Sequence, residues 1–139
     1  MARIKITLPE KQLGTVHIKV RITDINYGNH LANDALVGIL QEARMLWLQQ
    51  FSYSELNVEG LGLIMGDLAV EYKNESFYGD ELTIALYVAE VSKVSFELYY
   101  SLSNQNDKII AKAKTGMVCY NYQQKKIAEI PAELVKLFA

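Results

Sequence analysis

Residues 23–34 read TDINYGNHLAND, and they gather the carboxylate of Asp24, the amides of Asn26 and Asn33 and the imidazole of His30 just ahead of a long apolar-periodic segment that carries Glu42. These groups suit acyl transfer to water. That reaction needs a positioned nucleophile, a base for its proton and donors for the oxyanion that develops. A histidine exchanges protons near neutral pH, which fits His30 for the base. Asp24 can act as the base itself or hold the tautomer of His30, and Glu42, if its helix turns it inward, is a third candidate whose basicity burial would raise. An amide has nothing to titrate, so Asn26 and Asn33 can orient water or polarise a carbonyl but cannot take its proton. Free N–H groups at the start of a helix supply the oxyanion donors. Conformation explains some of the same residues: Asp and Asn form Asx-turns, and Asn33 before Asp34 is good N-cap chemistry.

Other chemistries find little support. His17 and His30 are the only histidines and Cys119 the only cysteine, and they are too scattered for a zinc site, so no metal or cofactor is expected. The chain has no phosphate-cradling glycine loop and no Gly-x-Ser-x-Gly elbow. A net charge of −2 with dispersed lysines gives no electrostatic case for nucleic acid. No run approaches the roughly 18 apolar residues of a membrane span, and MARIKITLPEKQ lacks the apolar core of a signal peptide. With one cysteine in an apolar run, the expected setting is the reducing cytoplasm.

The elements that must position these groups follow from periodicity. The chain has 139 residues, half of them hydrophobic and 22% charged, the size and composition of one globular domain spanning 1–139. VHIKVRI (16–22) alternates Val16, Ile18, Val20 and Ile22 against polar neighbours, as a half-buried strand does. From residue 34 to about 51, Leu36, Ile39, Leu40, Ala43, Trp47 and Phe51 recur at three- and four-residue steps, predicting a helix of about five turns. Gly38 inside it suggests a close approach by a strand or ligand. Alternation then predicts strands over 63–73, 80–91, 94–102 and 108–122, a last strand near 125–130, and a short helix in PAELVKLF. Consecutive strands with short turns form an antiparallel meander, and one long helix against it makes an α+β layered domain. The small face Ala111, Ala113, Thr115 predicts where the helix approaches the sheet closely.

A more specific likeness rests on Asp24, Asn26, His30 and Asn33, on Glu42-Ala43-Arg44 in the helix, and on VEYKNESFYGDEL (70–82). In this order along the chain they resemble the acyl-CoA thioesterases of the 4-hydroxybenzoyl-CoA thioesterase type, whose motif reads approximately D-x-D-x-x-G-H-x-N-N after the first strand. The resemblance covers about residues 16–130. It implies the hotdog fold, with a central helix packed on a curved antiparallel sheet of five or six strands. It also implies a homo-oligomer (a dimer or a dimer of dimers) and an acyl-CoA or acyl-carrier-protein substrate held at the helix mouth, near a dimer interface. Asp24, Asn26, His30 and Glu42 are the catalytic candidates, and Tyr27, Gly28, Asn29, Asn33 and Lys93 the substrate contacts, Lys93 by way of the CoA phosphates. Tyr72 joins Tyr27 as a possible wall of the acyl pocket. Two departures stand out: Asn26 replaces the acid that serves several members as nucleophile or base, and the glycine falls one place early, in Gly28-Asn29-His30. They leave two other readings open. One is a non-catalytic acyl-thioester binder. The other is an enoyl-CoA hydratase, whose D-x-N-P-x-H motif is matched at Asp24 and Asn26 but with Tyr27 for proline and His30 one residue late.

Overall fold

A computed structural model describes residues 2–139. The strand β1 (Gln12–Lys19) is followed by a single 3-10 turn (Ile22–Asp24) and the helix α1 (Asn33–Gln49); then come β2 (Gly62–Tyr72), β3 (Glu81–Ala89), β4 (Ser95–Ser103), β5 (Ile109–Asn121), β6 (Lys126–Ile127) and α2 (Ala132–Leu137). The strands form one antiparallel sheet in the order β1-β3-β4-β5-β2, with β6 added to the end of β5. This is the hotdog arrangement the sequence implies, one long helix on a curved open sheet.

The alternation predicted for the central strands is the burial pattern observed. Leu82, Ile84, Leu86 and Val88 of β3 are buried, as are Phe96, Leu98, Tyr100 and Leu102 of β4 and Ala111, Ala113, Thr115, Met117 and Cys119 of β5. In an antiparallel ladder, residues directly opposite share a face. The pairs Ile84↔Leu102, Leu98↔Thr115 and Tyr100↔Ala113 therefore build one continuous inner surface. Leu36, Ile39, Leu40, Ala43, Trp47 and Leu48 of α1 complete the core.

The boundaries differ from expectation in ways that bear on the site. Paired β1 ends at Lys19 and Ile22 is exposed, because the chain leaves the sheet for the 3-10 turn. The helix stops at Gln49, and Phe51 lies beyond it, exposed but edge-on to Trp47 at 5.3 Å. The small residues of β5 do not draw the helix backbone in. It runs chiefly beside β1, where Gly14 faces the Trp47 ring. Beneath α1, the buried Arg44 reaches the Tyr100 hydroxyl at 3.2 Å, which lies 2.6 Å from Thr115 Oγ1. Gly38 faces open space, so no strand approaches it within the chain.

Because α1 lies toward β1, the inner face of β2 at the opposite edge has little cover. Leu68 and Tyr72, opposite the buried Thr115 and Ala111, remain exposed. On the outer face Asp67 sits at a bulge in β2, accepting the Gly116 N–H at 2.7 Å and pairing with Lys114 at 2.8 Å. Among the described residues no helix is long and apolar enough to cross a membrane.

Candidate active site

The polar stretch after β1 is a compact loop closed on itself. The Ala32 N–H donates to the Asp24 carbonyl at 2.9 Å, Ile25 bridges Leu31, and the Asn26 N–H donates to the His30 carbonyl at 3.0 Å. That leaves Tyr27, Gly28 and Asn29 as a three-residue hairpin tip, a loop length that favours a last residue in the left-handed region. Asn29 takes that position, with φ 66°. Asn26 Oδ1 accepts the Gly28 N–H at 2.9 Å, an Asx-turn that keeps the tip tight. A Cβ on Gly28 would lie 3.2 Å from both Asn26 Oδ1 and His30 Nε2, so the missing side chain leaves room for amide and ring together. Asp24 is buried, and its carboxylate is taken up by the Arg21 N–H at 2.8 Å and the Arg21 guanidinium at 3.3 to 3.4 Å. Its observed role is to brace the start of the loop.

The loop delivers the chain into α1 without a side-chain cap. The N-cap is Ala32, and Asn33 is the first helical residue, so the predicted capping by Asn33 is not found. The consequence is chemical, because free N–H groups and the positive end of the helix dipole open onto whatever lies beside them. Beside them is a cavity of about 230 Å³ lined by His30, Ala32, Asn33, Tyr72, Glu75 and Ser76, with Leu36 and Ile110 among its apolar walls. The Tyr72 hydroxyl donates to the Asn33 carbonyl at 3.1 Å. Burial, then the nearby Asp34 charge, raises the Tyr72 phenol above its ordinary value.

One hydrogen bond joins the two walls of this cavity. The Leu31 N–H donates to the Ser76 carbonyl at 2.7 Å, which sets His30 beside Glu75. His30 Nδ1 is 3.1 Å from the Leu31 carbonyl. A carbonyl only accepts, so Nδ1 carries a proton, and in the neutral ring Nε2 keeps its lone pair. Nε2 lies 4.0 Å from Glu75 Oε1. Ser76 itself is buried, and its hydroxyl is committed to Asp80 Oδ2 at 2.9 Å. Burial alone would raise the Asp80 pKa, but hydrogen bonds from the Phe77 N–H, Gln105 and Ser76 outweigh it and hold the carboxyl below its ordinary value.

The remaining sequence candidates lie elsewhere. Asp24 and Glu42 line a separate groove of about 490 Å³ along the open side of α1, with Asp34 and Gly38. Glu42 is exposed there and does not reach the core, because it projects on the face of α1 opposite the sheet. Tyr27 is fully exposed at the hairpin tip and lines neither space. Lys93 follows β3 at the far end of the sheet, about 30 Å along the strands from the loop, and pairs with Glu129 at 3.1 Å. Thus His30 and Asn33 share the cavity, Asn26 lies near the His30 ring at Gly28 without lining it, and Asp24, Glu42 and Lys93 do not meet them among the described residues. Sequence reasoning passed over Glu75 and Ser76. Their signal was the polar tract NES after the predicted strand 63–73, within the stretch VEYKNESFYGDEL (70–82). Among the described residues no three His, Cys, Asp or Glu side chains converge where a metal ion would sit.

Residues 20–138 match the model of a family described as the thioesterase-like superfamily. The chain belongs to the thioesterase-like superfamily. A 1,4-dihydroxy-2-naphthoyl-CoA hydrolase of Acaryochloris marina is 32% identical to it over 68 residues, 48% of this chain and 50% of that protein. The matched stretch therefore spans about half the length of that relative. Among solved structures, a 1,4-dihydroxy-2-naphthoyl-CoA thioesterase from Synechocystis superposes with a TM-score of 0.81 at 21% identity, covering 90% of this chain and 94% of that one. A DHNA-CoA thioesterase from Staphylococcus aureus superposes at 0.80 with 16% identity, covering 90% and 87%. At such identities these two likenesses concern the fold.

Proposed function

We propose that this thioesterase-superfamily protein hydrolyses an acyl-CoA or acyl-carrier-protein thioester in the cavity at the N-terminus of α1. The observation that carries the reading is the meeting of a His30 Nε2 lone pair with an uncapped helix start in one cavity. The thioester carbonyl oxygen would take hydrogen bonds from the first-turn N–H groups, which strengthen as it becomes an oxyanion. Water attacks the carbonyl carbon and passes a proton to Nε2. The tetrahedral intermediate then collapses with cleavage of the C–S bond, and the thiolate leaves with that proton. Free acid and free thiol result. The apolar walls at Leu31, Leu36 and Ile110 suit a hydrophobic acyl group. The A. marina hydrolase makes 1,4-dihydroxy-2-naphthoyl-CoA a first member of any substrate panel.

The active form is a homo-oligomer. The open inner face of β2, with Leu68 and Tyr72 exposed, and the groove over Asp34, Gly38 and Glu42 are surfaces a second copy would cover. Covering the groove would also set Asp24 and Glu42 against the second copy.

Thiol release from a panel of short, long and aromatic acyl-CoA thioesters tests the activity. His30→Ala should lower kcat at least about 100-fold, the scale on which a positioned acid–base group acts. Wild-type turnover in that variant would remove His30 from the reaction. Binding without thiol release would favour the acyl-thioester binder, and loss of enoyl conjugation without thiol release would favour a hydratase.

A further inference from the structure

The cavity contains more ionisable groups than His30, and hydrogen bonding sorts them. Ser76 gives its hydroxyl to Asp80, and Tyr72 gives its own to the Asn33 carbonyl. Lys73 pairs with Glu71 at 2.9 Å. Among the described residues Glu75, whose side chain is 66% exposed, is alone among the lining acids and bases in having no partner other than His30. Its backbone is nevertheless well anchored. The Lys73 and Asn74 N–H groups donate to the Ile110 carbonyl at 2.9 and 3.1 Å, and the Asn74 side chain donates to the Ile109 carbonyl at 2.7 Å. On its other side, the Ser76 carbonyl holds the Leu31 N–H. The segment carrying Glu75 is therefore tied to β5 before it and to the loop of His30 after it.

In the neutral ring, with the proton on Nδ1, His30 Nε2 is an acceptor, and a carboxylate at Glu75 is acceptor-only. With the backbone ties holding these two acceptors 4.0 Å apart, a donor placed between them can bond both. A water molecule offers two O–H bonds at an angle that suits this spacing.

We infer that Glu75 is a catalytic residue of the proposed hydrolysis, accepting one hydrogen of the attacking water while His30 Nε2 accepts the other. This rests on the thioesterase reading and specifies its chemistry. The water oxygen forms the new C–O bond as its proton passes to Nε2. The imidazolium so formed donates to the Leu31 carbonyl through Nδ1 and faces the Glu75 carboxylate through Nε2, which stabilises its positive charge. As the C–S bond breaks, the Nε2 proton goes to the thiolate, and Glu75 ends as the carboxylate it began. The charged and titratable groups lining the cavity with His30 are Tyr72 from the end of β2 and Lys73 and Glu75 from the β2–β3 connection, with Asp34 of α1 close to Tyr72. Of these only Glu75 lies within ion-pair distance of the ring.

The experiment compares wild type, Glu75→Gln and Glu75→Asp in thiol release across pH, with thermal melting of each. Glu75→Gln keeps the shape but removes the charge. We expect its kcat to fall about 10- to 100-fold, the acidic limb of its pH–rate profile to move to lower pH, and its melting to match wild type. Glu75→Asp should recover part of the rate and return the limb toward its wild-type position. If Glu75→Gln matches wild type in rate and limb while wild type releases thiol, the role of Glu75 is overturned and the hydrolase reading stands. If wild type releases no thiol from any substrate, both are overturned.

Discussion

Asn26 shows how one side chain can serve two purposes. Its carbonyl oxygen closes the Asx-turn onto Gly28, and it sits about as near to Gly28 as the His30 ring does. A carboxylate accepts the same N–H, so Asn26→Asp should fold normally while adding an acid near the His30 ring. The expected result is a higher kcat, measured by thiol release; an unchanged profile at every pH would leave Asn26 as a turn residue only. Gly28 offers a complementary test. Its φ is not in the left-handed region, so alanine fits the backbone, but the new Cβ at 3.2 Å would push the ring or the amide aside. Gly28→Ala should cost under about 1 kcal/mol in urea unfolding yet lower kcat about tenfold or more, since sub-ångström misplacement of a reacting group is costly.

At the scale of elements, two buried polar assemblies hold the site's supports in place. Asp80 ties the β2–β3 connection together through Ser76, the Phe77 N–H and Gln105, and Ser76 in turn holds the loop of His30. Its folded pKa is depressed below the ordinary carboxylate value of about 3.9. A depressed acid binds fewer protons folded than unfolded. Its contribution is therefore full above about pH 4 and is lost as pH falls through the lower folded value. Asp80→Asn should cost about 1–3 kcal/mol at neutral pH and flatten the fall of stability below pH 4, read from urea titrations at stepped pH. The second assembly lies between helix and sheet. Arg44 bonds Tyr100 at 3.2 Å and faces Glu55 at 3.5 Å. Arg44→Met removes the cation and leaves a largely buried carboxylate unpaired, so it should cost about 3–5 kcal/mol in the same assay.

At the scale of the whole molecule, the helix covers the β1 side of the sheet and leaves the β2 side open. An exposed strand edge with uncovered apolar neighbours invites pairing with another chain. Light scattering should give a mass at least twice that of one chain. Leu68→Lys should shift it toward the monomer and reduce turnover in parallel. A monomeric, fully active wild type would remove the oligomer from the account.

Much of this architecture was legible in the sequence because its signals are periodic and local. Alternation in β3, β4 and β5 named their buried faces residue by residue, and three- and four-residue spacing named the core face of α1. The helix mouth and His30 were legible as well, since the polar loop and the helix it feeds are adjacent in the chain. What lay beyond local signals was partnership. The sequence could not show that Asp24 is taken up by Arg21, that Glu42 faces outward, or that Lys93 stands at the far end of the sheet. Nor could it show that Glu75, 45 residues from His30, would stand beside it. That neighbour depends on the register of β2 against β5, on the anchoring of Asn74 to β5, and on one hydrogen bond from Leu31 to Ser76. Propensity and periodicity determine what each segment becomes, while the meeting of two loops is decided only when the sheet between them closes.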